Sequence, residues 1–91
     1  MNVHLTWFGQ LRDVAGVAEE TVEVDAGTTV ASVLSSVATA RGDGLRRLLM
    51  SGESVASTIL VSLDDVQVTD ASATEVTDGA HLAVMAPMSG G

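Results

Sequence analysis

The 91-residue chain is long enough for one domain and too short to enclose a deep active site. Twelve acidic residues against four arginines give a net charge of −8, so we expect neither nucleic acid nor an anionic membrane surface as a partner. The absence of cysteine excludes a thiolate nucleophile on the chain itself. With no secretory signal pattern and no apolar segment of membrane-spanning length, we expect a cytoplasmic protein.

The N-terminal segment predicts two paired strands. Residues 3–8 alternate apolar and polar side chains, as a strand with one buried face does. Gly9 ends this run, and residues 10–14 are predicted to form a short helical turn. Residues 20–24 then alternate valine with charged residues, which predicts a second strand. We therefore expect a hairpin-like pair at the start of the domain.

One main helix is predicted next. Apolar residues recur at helical spacing from Val30 to Ala38, and Thr28 or Thr29 can cap the N-terminus. Gly42 is expected to follow its last turn. A second short helical piece is predicted at residues 45–50.

The second half of the chain predicts two or three strands after an exposed loop at residues 51–54. Strands are expected at residues 58–63, 66–68 and 81–85, with a turn at Asp64-Asp65 between the first two. If the first and last strands pair in parallel, the result is an α+β fold of the β-grasp (ubiquitin-like) type. Its mixed sheet would have four to five strands covered by one main helix.

We expect two parts in the chain: a β-grasp domain at residues 1–86 and a flexible C-terminal tail at residues 87–91. The tail ends in Gly90-Gly91, and Pro87 ends the preceding strand because it lacks a backbone donor. Taken alone, such residues predict only a frayed terminus. A carboxylate that must enter a narrow enzyme channel, however, needs the unrestricted backbone of glycine.

Three sequence blocks carry a family resemblance. They are FGQLRDVAG at residues 8–16, ILVSL at residues 59–63 and TDGAHLAVMAPMSGG at residues 77–91. In this order and spacing they resemble the ubiquitin-like sulfur carriers, most closely the small subunit of molybdopterin synthase. Ala86 departs from the family, which usually has a proline there.

The resemblance implies a cycle of chemistry at Gly91, with Gly90 as its flexible support. An E1-like enzyme would use ATP to adenylate the C-terminal carboxylate, and a sulfur donor such as a cysteine desulfurase would convert it to a thiocarboxylate. The chain would then deliver sulfur to a cyclic pyranopterin precursor of molybdopterin, within a heterotetramer formed with a larger synthase subunit. The chain by itself would be neither an enzyme nor the holder of a cofactor or metal.

The resemblance also implies a docking surface. Phe8, Leu60 and Met85 have the outward parity of their strands, on the face that the family uses to dock partners. Pro87 and Met88 adjoin this surface in sequence. An exposed apolar patch of this kind usually marks an interface, so these five residues are the predicted partner contacts.

Other roles stay open. The same tail would serve a sulfur carrier for thiamine, cysteine or tRNA thiolation, although Pro87 favours the molybdopterin branch. A ubiquitin-like modifier would place Gly91 in an isopeptide bond, whereas an interaction module would need neither glycine.

Several polar residues are given ordinary structural roles. His4 and His81 are predicted neighbours on the exposed sheet face, without a third ligand for a metal. Asp64-Asp65 is predicted as a turn and not as an acid–base pair. The acidic residues, Glu20 among them, are expected to be solvated.

Overall fold

A computed structural model describes residues 1–86 and contains three helices and seven strands within them. The helices are α1 Gln10–Ala15, α2 Val30–Arg41 and α3 Asp43–Leu49. The strands are β1 Asn2–Trp7, β2 Glu19–Glu23, β3 Met50–Ser51, β4 Ser54–Val55, β5 Leu60–Leu63, β6 Val66–Gln67 and β7 His81–Met85.

The main sheet is mixed, with the strand order β2-β1-β7-β5-β6. The central strand β7 runs parallel to β1, and the register pairs His4 with His81 and Trp7 with Val84. On its other side β7 runs antiparallel to β5, with Leu60 opposite Met85. The antiparallel pairs β1–β2 and β5–β6 complete the sheet. This arrangement is the β-grasp fold that the element order predicts.

The core lies between one face of the sheet and the helices. Thr29 is the residue that caps α2, since its Oγ1 accepts a 3.2 Å hydrogen bond from the Ser32 N–H. Trp7 is the single aromatic side chain of this core and is 1% exposed. The fully buried aliphatic residues around it include Val3, Leu5, Leu11, Val30, Leu34, Leu49, Leu82 and Val84. Burial of each such valine or leucine contributes about 1.5–3 kcal/mol, so this aliphatic layer fixes the sheet against the helices.

A second hairpin corrects the prediction for the middle of the chain. The sequence predicts a helical piece to Met50 and a loop at residues 51–54, but α3 ends at Leu49 and β3 pairs with β4. Gly52 makes the connecting turn with φ 64°, and Arg46 Nη2 donates to its carbonyl oxygen at 3.2 Å. Residues 51–54 contain no apolar side chain that could alternate with the polar ones, so they give no strand pattern. Met50, in contrast, is buried in the core.

Candidate docking face

Three exposed apolar side chains lie in a row across the outward face of the sheet. Leu60 of β5 is paired with Met85 of β7, and the Phe8 N–H donates to the Val84 carbonyl at 3.1 Å, which places Phe8 beside Met85. Their exposed fractions are 44% for Phe8, 42% for Leu60 and 39% for Met85. We call Phe8, Met85 and Leu60 the apolar row. The outward positions predicted from strand alternation are therefore correct.

The apolar row lies where the chain leaves the sheet. Met85 is the last residue of the central strand β7, so Phe8 and Leu60 flank it on both sides. Ala86, the next residue, is half-buried and packs against the core. A partner seated on the row would therefore contact the sheet directly beside the point from which residues 87–91 continue.

The predicted site residues of the tail cannot be placed in the same way. Pro87, Met88, Gly90 and Gly91 lie outside the described residues. Their assignment depends on the sequence alone.

Apart from Ala83, the remaining strand residues of the outward face are polar. His4 Nδ1 lies 2.8 Å from Thr21 Oγ1, and His81 Nε2 lies 2.7 Å from Thr6 Oγ1. The two imidazole centroids are 6.2 Å apart, so the predicted proximity of His4 and His81 is correct. Both rings have a hydroxyl partner, and residues 1–86 contain no cluster of three or more potential metal-ligating side chains.

Asp64 and Asp65 form a tight turn beside this histidine pair. Both have positive φ, 49° and 70°, which suits a two-residue hairpin connection. The Asp64 N–H donates to the His81 carbonyl, and Asp64 Oδ1 accepts from the His81 N–H, each at 2.9 Å. Asp64 and Asp65 therefore form the β5–β6 turn, as predicted.

A polar link behind the apolar row was not predicted. Glu20 points to the helix side of the sheet, where its carboxylate accepts hydrogen bonds from Trp7 Nε1 at 2.7 Å and from Arg41 Nε and Nη2 at 2.9 and 3.0 Å. The hydrogen bond to Glu20 raises the pKa of Arg41. The expectation that Glu20 is simply solvated is therefore wrong. The sequence does contain a signal for the inward position: Glu20, Val22 and Val24 are spaced two residues apart, so in a strand their side chains lie on the same face.

No helix within residues 1–86 combines the length and the apolar character that a membrane crossing requires.

The ThiS family model matches residues 5–91 of this chain. No curated protein matches it. The family match thus covers the apolar row, most of the β-grasp domain and the terminal glycines together.

Solved structures show the same fold. The HVO 2177 protein of Haloferax volcanii is 32% identical, with a TM-score of 0.86 over 100% of this chain and 87% of that one. The match within the BexX/CysO complex of Amycolatopsis orientalis is 28% identical, with a TM-score of 0.72 over 98% and 99%. SAMP1 of Haloferax volcanii is 24% identical with a TM-score of 0.84 over 100% of both chains, and this likeness shows the fold alone. The chain belongs to the ThiS family of ubiquitin-like sulfur carriers.

Proposed function

We propose that the protein carries sulfur on the C-terminal carboxylate of Gly91 and delivers it while docked to a partner through the apolar row. The observation that carries this proposal is the position of Met85. Met85 ends the central strand, and the six residues from Ala86 to Gly91 span at most about 22 Å when fully extended. A partner seated on the apolar row can therefore also reach the C-terminal carboxylate.

The chemistry begins with an inert group. A carboxylate is a poor electrophile, because neither of its oxygens is a good leaving group. An E1-like enzyme would bind ATP, join the Gly91 carboxylate to AMP and release pyrophosphate. A sulfur donor such as a cysteine desulfurase would then present a persulfide, whose terminal sulfur displaces AMP and forms an acyl disulfide. A second thiol would reduce this disulfide, which leaves a nucleophilic thiocarboxylate.

Gly90 and Gly91 suit this reaction because they have no side chain to obstruct a narrow catalytic channel. The folded domain would remain outside that channel and bind through its surface. Phe8, Leu60 and Met85 provide an exposed apolar contact, and Pro87 and Met88 extend it along the sequence towards the glycines. The chain is in this sense a co-substrate, and ATP is bound by the activating partner.

The acceptor that we propose is a cyclic pyranopterin precursor of molybdopterin, bound by a larger synthase subunit with which the chain forms a heterotetramer. The closing block with Pro87 before the glycines supports this choice, as does its resemblance to the small subunit of molybdopterin synthase. Carriers for thiamine, cysteine or tRNA thiolation use the same terminal chemistry. A ubiquitin-like modifier would instead transfer Gly91 to a lysine of another protein.

Two assays separate these roles. ATP–pyrophosphate exchange by an E1-like enzyme should require the full chain and stop when Gly91 is deleted. The thiocarboxylated protein, mixed with a larger synthase subunit and the cyclic pyranopterin, should then yield molybdopterin. Exchange without molybdopterin formation would exclude this acceptor, and protein conjugates that disappear with Gly91 would favour the modifier role.

A further inference from the structure

The edge strand β2 leaves part of its backbone unpaired within the described structure. Val24, directly after β2, exchanges two hydrogen bonds with Met1, at 2.9 and 2.8 Å, so the even-numbered residues direct their backbone groups towards β1. In an antiparallel pair this direction alternates from residue to residue. Glu19, Thr21 and Glu23 therefore direct their N–H and C=O groups away from the sheet. These groups have the spacing that an added strand requires.

The two edges of the sheet are not equivalent. The edge strand β6 has only two residues, Val66–Gln67, whereas β2 has five. Short edge strands resist pairing with other chains, while a longer uncovered strand is a template for β-strand addition. The β2 edge is thus the one that can accept an extended peptide.

A groove of about 750 Å³ lies beside this edge, between β2 and α2. Its apolar lining consists of Val22, Val24, Val33, Val37 and Ala40. Its lining also includes Glu20 and Arg41, which pair with each other at 2.9 Å. A strand added to β2 would place every second side chain on the helix side of the sheet, next to Val22 and Val24.

The remaining side chains of the added strand would meet an acidic surface. Glu19 and Glu23 lie on the outward face of β2, and both are exposed. In residues 1–86 the single ion pair is the one between Arg41 and Glu20, so these two carboxylates have no basic partner there. Basic side chains opposite Glu19 and Glu23 would be favourable, since opposite charges across neighbouring strands attract.

We infer that the β2 edge and its groove bind an extended segment of a partner protein in which lysine or arginine alternates with β-branched apolar residues. The backbone would pair with Glu19, Thr21 and Glu23. The apolar side chains would enter the groove, and the basic ones would lie on the outward face. This interaction goes beyond the proposed sulfur transfer and does not depend on it.

A second copy of this chain fits the edge poorly. Antiparallel pairing of two β2 strands centred on Thr21 would place Glu19 of each copy opposite Glu23 of the other. Like charges directly opposite each other destabilise a strand pair, and each chain has a net charge of −8. The charge pattern therefore favours a basic partner over self-association.

The site is also separate from the apolar row. The groove lies on the helix side of the sheet, while Phe8, Met85 and Leu60 lie on the outward face across β1, β7 and β5. Both surfaces can be occupied at once. A partner bound at β2 would leave the apolar row uncovered.

The test uses a capped peptide of sequence KVKVKVK, titrated into the isotopically labelled full-length protein at low ionic strength. We expect amide shifts in two-dimensional NMR to centre on Glu19, Thr21 and Glu23, with smaller shifts at Val33 and Val37. Deletion of Gly91 should leave the affinity unchanged, which separates this test from that of sulfur transfer. No binding, or shifts centred elsewhere, would overturn the inference.

Matched controls test each component of recognition. Glu23→Lys should weaken binding by about five-fold or more, whereas Glu53→Lys, the same change on the exposed β3–β4 turn, should change it by less than about two-fold. The peptides KSKSKSK and EVEVEVE should bind less tightly than KVKVKVK. Equal binding of the serine peptide, or no effect of Glu23→Lys, would contradict the inference. Concentration-dependent shifts at β2 without peptide would assign the edge to a second copy instead.

Discussion

The indole Nε1–H of Trp7 donates a 2.7 Å hydrogen bond to Glu20 Oε2, and Arg41 donates two more to the same carboxylate through Nε and Nη2. Arg41 Nη1 also donates to the Ala15 carbonyl at 3.1 Å. The contacts connect the end of β1 with β2 and with the C-terminal ends of α1 and α2. They fix the strand end that Phe8 directly follows. The fold and the apolar row therefore share this support.

Replacement of Glu20 tests that support. Glu20→Ala leaves the buried Trp7 donor without its acceptor, so we expect the free energy of unfolding to fall by about 1–3 kcal/mol. Glu20→Gln keeps an acceptor oxygen and should cost less. Urea unfolding followed by the fluorescence of Trp7, the only tryptophan, measures both.

Glu19→Ala is the matched control, because Glu19 is adjacent, exposed and outward-facing. It should change the free energy of unfolding by less than about 0.5 kcal/mol. If Glu20→Ala and Glu19→Ala are equally mild, the link does not support the fold.

The apolar row is tested by Leu60→Ser. Since Leu60 is 42% exposed, the fold should persist, but the Kd for an E1-like activating enzyme or a larger synthase subunit should rise about ten-fold or more. Val66→Ser removes a side chain that is 69% exposed on the edge strand β6 and should leave both Kd values nearly unchanged. Equal effects of the two variants would remove the row from the docking surface. Calorimetric titration measures the affinities.

The Asp64-Asp65 turn predicts a stabilising substitution. Asp65 has φ 70°, a conformation that costs a residue with a side chain more than it costs glycine. Asp65→Gly creates the favoured Asp-Gly turn and should raise the free energy of unfolding by about 0.5–1 kcal/mol. Asp64→Ala should instead lower it by about 1–2 kcal/mol, because the hydrogen bond to the His81 N–H is lost. A loss of stability in Asp65→Gly, measured by urea unfolding, would contradict this account of the turn.

Strand alternation explains which part of the site could be predicted from sequence. In β1 the period of two places Trp7 in the core and Phe8 outside it, and in β7 it separates Val84 from Met85. The apolar row needs only these local patterns and the pairing of the central strands. Its residues were therefore predictable without a structure.

Other features depend on contacts between distant segments. Arg41 and Glu20 are separated by 21 positions in sequence, and no local pattern predicts that the end of α2 lies beside β2. The β3–β4 hairpin is similar, because its polar turn around Gly52 resembles a loop until Met50 is seen in the core. The groove beside β2 likewise exists only after the helix packs on the sheet.

The identity of the acceptor requires a different kind of information. The folded domain presents one apolar row and the chain ends in Gly90-Gly91, whichever acceptor receives the sulfur. Under the proposed function, selection of the acceptor depends on the partner that binds the row. The fold and the type of carrier can therefore be assigned before the pathway.

The central claim is that Gly91 carries sulfur, and intact-mass spectrometry tests it most directly. The protein is incubated with ATP, an E1-like adenylating enzyme and a sulfur donor, alongside a variant that lacks Gly91. A mass gain of about 16 Da, from exchange of one carboxylate oxygen for sulfur, is predicted for the full chain and not for the variant. An unchanged mass with an enzyme set shown to load another carrier, or an equal gain in both proteins, would contradict the claim.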